Sequence, residues 1–424
     1  MSFDPNDPAL RRRRPRPQLA RRDVLRGGVW ITVGLGAAPL LAACGDNGSS
    51  GQAANGSAPY PLARPDKPVT LAIKDSNPPI DDGLDPETGG TFQILNYSQY
   101  MAPGVMKAFG QKHNVSVEVT PYNNYDEMLA KIRQPGQSFD LVFPGPSVLS
   151  KMVYADLLQP INHAYVPHLK NVWPEYQDPW YDRGAHYTVP YTIYGTGVMY
   201  RADRVTSVPE VGYDLLWDKA YSGKVYLLDD RQEAIGMSLL RNKITGDINT
   251  SNADDVQKAT DSLIELIGLV NVKTDVNAYS EVPEGTATIH QCWSGDPIAG
   301  QYYLPKGQTP EVLGYWRPAA ADYVVGSDNI AIPKSASKPV LAHMMINDLL
   351  DNKIGLENFG WNGYQPPLTK LSTKFLTDEG YIPKNLSNSV VERSDFAQGR
   401  TFYEVSPSTE ALWQTDWARF KAGA

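Results

Sequence analysis

Apolar residues along this chain follow two alternating periods. Runs with the two-residue period of a strand lie at 92–97, 115–119 and 140–143. Runs with the 3.6-residue period of a helix lie between and after them, at 103–112, 125–133 and 148–156. In the first helical run, for example, Val105, Met106 and Phe109 share one face. The first part of the chain therefore predicts strand, helix, strand, helix, strand, helix.

The middle of the chain repeats this alternation. A strand is predicted at 225–228, a helix after Asp230, a long amphipathic helix at 254–269, and a strand that ends at Trp293. Strands alternating with helices are typical of a parallel α/β sheet. From residue 69 onward the chain has about 355 residues, more than one hydrophobic core usually serves. We therefore expect an α/β protein of two lobes.

The first residues have the pattern of an export signal. Arginines crowd the start, and the apolar run 29–43 is too short to span a bilayer comfortably. Residues 41–44 (Leu-Ala-Ala-Cys) resemble the lipobox of bacterial lipoproteins, while Arg21 and Arg22 resemble a twin-arginine export signal. The pattern predicts a signal peptide at 1–43 and lipidation of Cys44, which would anchor the protein at the outer face of the cytoplasmic membrane. An ordinary signal peptide with a chance cysteine, and export by the general secretory route, remain alternatives.

A spacer and an acidic body follow the leader. Residues 44–66 are rich in Gly, Ser, Asn, Ala and Pro, a composition that predicts a flexible tether. The first 43 residues carry eight arginines and three aspartates, a net charge of +5, so their removal takes the net charge from −8 to −13. Such a body repels nucleic acid and favours a cationic ligand.

Other chemistries find little support in the residue pattern. Cys292 is the only cysteine besides Cys44, which excludes an internal disulfide, and its apolar neighbours favour a buried role over a nucleophile. Ser-x-x-Lys at 335–338 and Ser-Asp-Asn at 327–329 occur in the reverse of the order found in penicillin-recognising enzymes. The six histidines lack paired metal spacing, and the acidic segment 81–85 lacks the spacing of an EF-hand. We expect no metal, no cofactor and no catalysis.

Candidate chemistry instead gathers at the predicted strand ends, where open parallel sheets bind their ligands. These segments are rich in aromatic rings and carboxylates: 96–100, 144–147, 229–233, 293–296, 326–329 and 363–366. Ring faces attract a positive charge and shield methylene groups, and carboxylates form charge-assisted hydrogen bonds with ammonium groups. The strand ends therefore predict a pocket for an alkyl ammonium.

The same segments carry a family resemblance. Over essentially its whole mature length the chain resembles bacterial spermidine/putrescine-binding proteins, the receptors of ABC importers, through 96–104, 140–144, 221–230, 328–333, 363–366 and 421–423. The resemblance implies a type II periplasmic-binding-protein fold, in which each lobe is a mainly parallel sheet flanked by helices and hinge strands join the lobes. The implied crossings lie at 189–196, near 326–329 and near Leu371. Lobe 1 would comprise 67–194 and 327–373, and lobe 2 would comprise 195–326 and 374–424.

The resemblance also implies ligand-binding residues: Tyr97, Tyr100, Asp230, Glu233, Trp293, Asp328 and Tyr364. The strand-end pattern adds Tyr194 and Asp296. Ser147 replaces a tyrosine of the family and Gly326 replaces a tryptophan. Both replacements predict a more open site, which leaves the length or even the class of the ligand undecided.

Each candidate also has a purely structural explanation. Asp230 and Glu233 have the spacing of a helix N-cap and its N3 partner, Asp328 suits a turn, and the aromatic residues suit a core. The resemblance nevertheless favours a monomeric, non-enzymatic extracytoplasmic receptor that binds a polyamine and delivers it to a membrane permease. A different amine or other small solute, and an extracytoplasmic hydrolase, are the alternatives.

Overall fold

The computed structural model describes residues 58–423. Its strands join in one sheet of order β2-β1-β3-β10-β5-β8-β6-β7, with β4 paired to β10 and β9 paired to β5. The strands are β1 (Thr91–Asn96), β2 (Ser116–Pro121), β3 (Leu141–Val142), β4 (Leu158–Gln159), β5 (Thr188–Arg201), β6 (Val225–Leu228), β7 (Lys273–Asp275), β8 (Ile289–Trp293), β9 (Leu313–Trp316) and β10 (Val324–Pro333).

Helices flank this sheet. They are α1 (Pro103–His113), α2 (Tyr125–Ile132), α3 (Leu149–Tyr154), α4 (Pro174–Gln177), α5 (Arg231–Arg241), α6 (Ala253–Val270), α7 (Ala278–Glu284), α8 (Gly295–Gly300), α9 (Pro339–Leu349), α10 (Asn352–Asn362), α11 (Thr373–Asp378), α12 (Arg393–Gln398) and α13 (Pro407–Gly423). The helices and strands predicted from the periodicity are confirmed to within a few residues at each end.

Two long antiparallel strands, β5 and β10, run through the middle of the sheet. The strands on either side of them are parallel: β1 pairs with β2 and β3, and β6 pairs with β7 and β8. The antiparallel pairs each contain β5 or β10. The predicted α/β class is confirmed, because each half of the sheet keeps the parallel strand–helix arrangement that the alternating periodicity predicted.

The amphipathic helix α6 shows how the local pattern is fixed. The Asn252 side chain accepts from the amide of Asp254 and caps the first turn, and Asn271 ends the helix in the left-handed conformation. Its apolar face, which includes Leu263 and Leu266, is fully buried. Burying each leucine stabilises the fold by about 1.5–3 kcal/mol relative to exposure.

The last segment of the chain packs on two different cores. Leu376, Ile382 and Val390 lie in the cluster that contains the β1 side chains, whereas Trp413 and Phe420 lie in the cluster that contains the β6 side chains. The chain thus returns across the molecule after α11. The lobe boundaries given above stay a prediction.

The end of the predicted tether is folded. Tyr60 and Ala63 are buried, the Arg64 Nη1 donates to the Glu404 carbonyl at 3.0 Å, and the Arg64 guanidinium lies 4.7 Å from the centre of the Tyr403 ring. The prediction of a flexible spacer up to residue 66 is therefore wrong from Tyr60 onward, because Tyr60 and Ala63 are buried and Arg64 contacts the body of the protein. The signal peptide, with Arg21, Arg22 and Cys44, lies outside the described residues. Between residues 58 and 423, no helix has the length and apolarity needed to cross a membrane.

Candidate functional site

A cavity that is partly open to solvent lies where the carboxyl ends of β1 and β8 approach the interior of the long strands β5 and β10. The structure brings all ten candidate residues to its wall: Tyr97, Tyr100, Ser147, Tyr194, Asp230, Glu233, Trp293, Asp296, Asp328 and Tyr364. The strand-end rule accounts for the residues that follow β1, β3, β6 and β8, whereas Tyr194 and Asp328 lie inside β5 and β10. Contact of each with a ligand stays a prediction.

Backbone features aim several of these side chains at the cavity. Asp328 lies at a register shift of the β5–β10 pair, between Asp328 and Asn329. Tyr364 follows Gly363, which ends α10 with φ of 74°, and a Cβ at Gly363 would lie 2.3 Å from the carbonyl oxygen of Gly295. Only glycine lets the chain turn there and lay the Tyr364 ring against the start of α8.

Asp328 is held by two phenols. The hydroxyl of Tyr100 donates to Oδ2 and the hydroxyl of Tyr125 donates to Oδ1, both at 2.7 Å. The carboxyl group is 5% exposed, and this burial raises its pKa to about 6, although the two hydrogen bonds act in the opposite direction. Among the described residues that line the cavity around Asp328 there is no lysine, arginine or histidine, so a positive ligand would meet an acceptor already in place.

Asp230 and Glu233 differ in what they do. The Asp230 side chain caps α5 by accepting from the amides of Gln232 at 2.8 Å and Glu233 at 3.1 Å, as the capping explanation predicted. Glu233 does not complete a capping box. Its Oε1 accepts from the indole Nε1 of Trp293 at 2.8 Å, while Oε2 is buried without a hydrogen-bond partner in the described part of the chain.

Glu233 also has a perturbed pKa. Burial, and then the negative charge of Asp230, raise its pKa to about 8. A buried acceptor without a partner costs free energy in the ligand-free protein. When Glu233 is ionised, its Oε2 atom can accept a hydrogen bond from a donor that enters the cavity, in competition with the nearby Thr196 hydroxyl.

Asp296 completes the acidic set. It accepts from the hydroxyl of Tyr364 at 2.7 Å and from the backbone amide of Trp293 at 3.3 Å. Burial raises its pKa to about 7. Among the residues that line the cavity there is no lysine, arginine or histidine, so its four carboxyl groups have no basic counterpart in the wall.

Aromatic rings separate these carboxyl groups. The Tyr97 ring packs edge-on against Tyr100, with ring centres 5.6 Å apart, and against Trp293 at 5.9 Å. Tyr100 in turn contacts Tyr364 at 4.9 Å, and Tyr194 lies 6.3 Å from Trp293. Edge-to-face packing of this kind fixes the ring orientations. The aromatic rings therefore give the cavity wall an apolar, electron-rich surface, and the four carboxyl groups lie between them.

The two departures from the family pattern, Gly326 and Ser147, each contact another residue of the cavity wall. At Gly326, the Tyr194 ring fills the free space, because a Cβ at that glycine would lie 2.5 Å from the ring's Cζ. Whether glycine at position 326 makes the site more open than tryptophan would stays a prediction. At position 147, the small side chain is used for a hydrogen bond, in which the Ser147 hydroxyl donates to the Gln232 Oε1 at 3.3 Å.

Sequence reasoning missed several residues of the wall. Tyr125 begins α2 directly after β2, so the strand-end rule could have found it, and Asn124 before it is a visible helix cap. Tyr279 and Trp361 lie on helices α7 and α10 and gave no such signal. Others are Asn277, Tyr303, Asn362 and Phe402, whereas Ser98, Gln99 and Gln232 lie in the strand-end segments 96–100 and 229–233 but were not named as ligand-binding residues.

Comparison with known sequences assigns a family to this geometry. The profile of the bacterial extracellular solute-binding proteins matches residues 104–383, well over half of the chain. The chain belongs to this family.

Relatives of this solute-binding protein are known from several bacteria. It is 25% identical over 265 residues to spermidine/putrescine-binding periplasmic protein 1 of Haemophilus influenzae, covering 62% of this chain and 71% of the relative. It is 27% identical over 273 residues to the putrescine-binding periplasmic protein PotF of Escherichia coli, covering 61% and 73%.

Solved structures share its fold. A spermidine/putrescine ABC transporter protein of Listeria monocytogenes superposes with a TM-score of 0.67 at 22% identity, covering 78% of this chain and 98% of that one. The TpPotD lipoprotein of Treponema pallidum superposes with a TM-score of 0.61 at 20% identity, covering 78% and 99%. The predicted two-lobed type II periplasmic-binding-protein fold is thereby confirmed, and the assignment of β5 and β10 as its hinge strands stays a prediction.

Two further features of this solute-binding protein bear on other chemistries. Cys292 is fully buried, and burial raises the pKa of its thiol, which confirms the interpretation of a buried side chain rather than a nucleophile. In the part of the chain that the structure describes, no three His, Cys, Asp or Glu side chains are grouped as a metal site.

Proposed function

We propose that this solute-binding protein is the extracytoplasmic receptor of an ABC importer and that its solute is a polyamine such as putrescine or spermidine. The observation that carries the proposal is the cavity wall, which combines four carboxyl groups with aromatic rings and has no basic side chain. An aliphatic diamine matches both features, since its ammonium ends suit the carboxylates and its methylenes suit the rings.

The contacts are sufficient for useful affinity. Hydrogen bonds to charged groups contribute about 1.5–3 kcal/mol each, and each cation–π contact adds about 0.5–2 kcal/mol. Asp328 and Glu233 are the acceptors that we assign to ammonium groups, with Tyr97 and Trp293 beside the chain between them. After the costs of ordering and desolvation, a dissociation constant on the order of micromolar, about −8 kcal/mol, is expected.

Binding would favour the closed state of the receptor. Asp328 comes from hinge strand β10, whereas Glu233 and Trp293 come from α5 and β8 on the other side of β5. A ligand that needs all three groups binds the closed arrangement better than the open one and shifts the population towards it. The closed receptor would then dock on the permease subunits as a monomer. No catalytic step is part of this proposal, in keeping with a family of solute-binding proteins.

Relatives named as spermidine- or putrescine-binding proteins support the choice of solute, and a thermal-shift panel tests it. Amines, amino acids, sugars and dicarboxylates are added separately to the purified protein. A ligand at about 100 times its dissociation constant stabilises the folded state by about 2.7 kcal/mol, which raises Tm by several degrees. We expect this rise with putrescine or spermidine. A rise with a sugar or a dicarboxylate and none with any amine would overturn the proposal.

We further propose that residues 1–43 are removed on export and that a lipid on Cys44 holds the receptor at the outer face of the cytoplasmic membrane. The lipobox-like residues 41–44 support this, and the structural relative of Treponema pallidum is named a lipoprotein. The Cys44→Ser variant is expected to move most of the protein from the membrane fraction to the soluble fraction, because no lipid can be attached. Fractionation followed by immunoblotting measures this.

A second variant tests the twin-arginine export route. Replacement of Arg21 and Arg22 by lysine keeps the charge but removes the twin-arginine pattern, so the precursor is expected to accumulate inside the cell. The Cys292→Ser variant, whose thiol is buried in the body, serves as the matched cysteine control and should stay in the membrane fraction. Membrane retention of Cys44→Ser would contradict the anchor.

A further inference from the structure

On the proposed hinge strand β5, a tyrosine ring packs over a glycine of the paired strand β10. Tyr194 on β5 and Gly326 on β10 are direct partners in the antiparallel pairing. The Tyr194 ring folds across this pair, so that a Cβ built on Gly326 would lie 2.5 Å from both its Cζ and its hydroxyl oxygen. Real contacts of that kind do not reach such a distance, so any side chain at position 326 must displace the ring.

The same ring is part of the cavity wall. Tyr194 lines the cavity together with Gly326 and Trp293, and its ring centre lies 6.3 Å from that of Trp293. Burial, followed by the charges of Glu233, Asp328 and Asp230, raises the pKa of the Tyr194 hydroxyl. The ring therefore lies among the carboxyl groups that we assign to the ligand, at the point where the two hinge strands meet.

We propose that Tyr194, seated on Gly326, is a specificity-determining residue that narrows the cavity and selects unbranched alkyl amines over amines with a bulky N-substituent. The inference rests on the proposed function and goes beyond it, because it assigns the choice among amines to one ring. Its physical basis is volume: a rigid phenol backed by a glycine main chain cannot retreat from a larger ligand.

The chain supplies a matched control on the same strand. Tyr200 of β5 pairs with Gly314 of β9, and a Cβ at Gly314 would lie 2.3 Å from the Tyr200 Cζ. This pair has the same ring-on-glycine geometry, but neither residue lines the cavity. Loss of the Tyr200 ring therefore reports the structural part of such a pair without any change in the wall.

The test measures calorimetric binding of putrescine and N-benzylputrescine to the wild type, Tyr194→Ala and Tyr200→Ala. The wild type is expected to prefer putrescine. Tyr194→Ala should bind putrescine about tenfold more weakly and N-benzylputrescine about tenfold more tightly than the wild type, since the ring's volume becomes available. Tyr200→Ala should keep the wild-type preference. An unchanged preference in Tyr194→Ala overturns the inference.

A second variant tests the steric couple itself. Gly326→Ala is expected to push the ring into the cavity and weaken putrescine binding by about tenfold, whereas Gly326→Ala combined with Tyr194→Ala should bind as Tyr194→Ala alone does. Wild-type affinity in Gly326→Ala overturns the couple, and this variant decides the question if Tyr194→Ala does not unfold cooperatively. If neither amine binds the wild type, the proposed function itself fails. If the wild type binds putrescine but no variant changes its preference between the two amines, only the inference about Tyr194 is wrong and the proposed function stands.

Discussion

The Asp328→Asn variant is expected to bind putrescine about 100-fold more weakly than the wild type, a loss of about 3 kcal/mol. In the wild type, both carboxylate oxygens already accept a phenol hydroxyl, from Tyr100 and Tyr125. The asparagine amide keeps the shape but replaces one acceptor by a donor, so one phenol loses its partner and the ammonium loses a charged one. A charge-assisted hydrogen bond alone is worth about 1.5–3 kcal/mol.

Isothermal titration at about pH 8, where most of the Asp328 population is ionised, measures the loss. The control is Asp378→Asn, which removes the same charge from a side chain that is 59% exposed and is not among the residues that line the cavity. It should bind putrescine as the wild type does. If Asp328→Asn stays within about threefold of the wild type, less than 1 kcal/mol, the assignment of Asp328 to an ammonium group is wrong.

The Glu233→Gln variant should lose ligand affinity and yet be more stable than the wild type in the absence of ligand. The pKa of Glu233 is raised to about 8 in the folded protein, against about 4.3 in an unfolded chain. The stability contributed by this group is therefore fully present below about pH 4 and is lost as the pH rises through about 8. At about pH 8.5 the wild type carries a buried, poorly solvated charge that glutamine does not have.

Urea unfolding of ligand-free protein at about pH 8.5 and about pH 5 tests this sign. Glutamine keeps an oxygen that can accept from the Trp293 indole, so the packing of the wall is retained. We expect Glu233→Gln to be more stable by on the order of a few kcal/mol at the higher pH, with a smaller difference at the lower pH. A Glu233→Gln protein that is less stable than the wild type at the higher pH would contradict the account, whatever its affinity.

These two variants express one physical trade-off. Burial raises the pKa of Asp328, Asp296 and Glu233, which means that the folded, ligand-free protein is less stable when these groups are charged. A diammonium ligand replaces the lost hydration of these groups, and its binding should therefore release protons at neutral pH. The ligand-free protein therefore has a lower free energy of unfolding than it would have with neutral side chains at these ligand-binding positions.

Much of the site was accessible to sequence reasoning for one reason: the sheet is parallel on each side of the hinge. Tyr97 and Tyr100 follow β1 and Trp293 ends β8, so the strand-end rule marks each of them as a candidate, and the resemblance to a two-lobed receptor places the two strand ends together. The acids could be placed in the same way, because Asp230 and Glu233 directly follow β6.

What the sequence did not reveal depends on distances between strands. To predict that the Tyr194 ring packs over Gly326, one must know the register of β5 against β10, and hydrophobic periodicity does not encode this register. Trp361 and Tyr279 reach the cavity from helices whose docking is set by tertiary packing. The folded segment from Tyr60 to Arg64 was hidden by its average composition, although its contacts with Tyr403 and Glu404 decide its conformation.

Titration calorimetry of ligand-stripped protein at about pH 8 tests the central claim most directly, with putrescine compared to its uncharged analogue 1,4-butanediol. The account predicts one binding site with a dissociation constant on the order of micromolar for putrescine and no measurable heat with the diol, because the cavity recognises positive charge. No heat with putrescine or spermidine at about millimolar concentration, or equal binding of the diol, would contradict it.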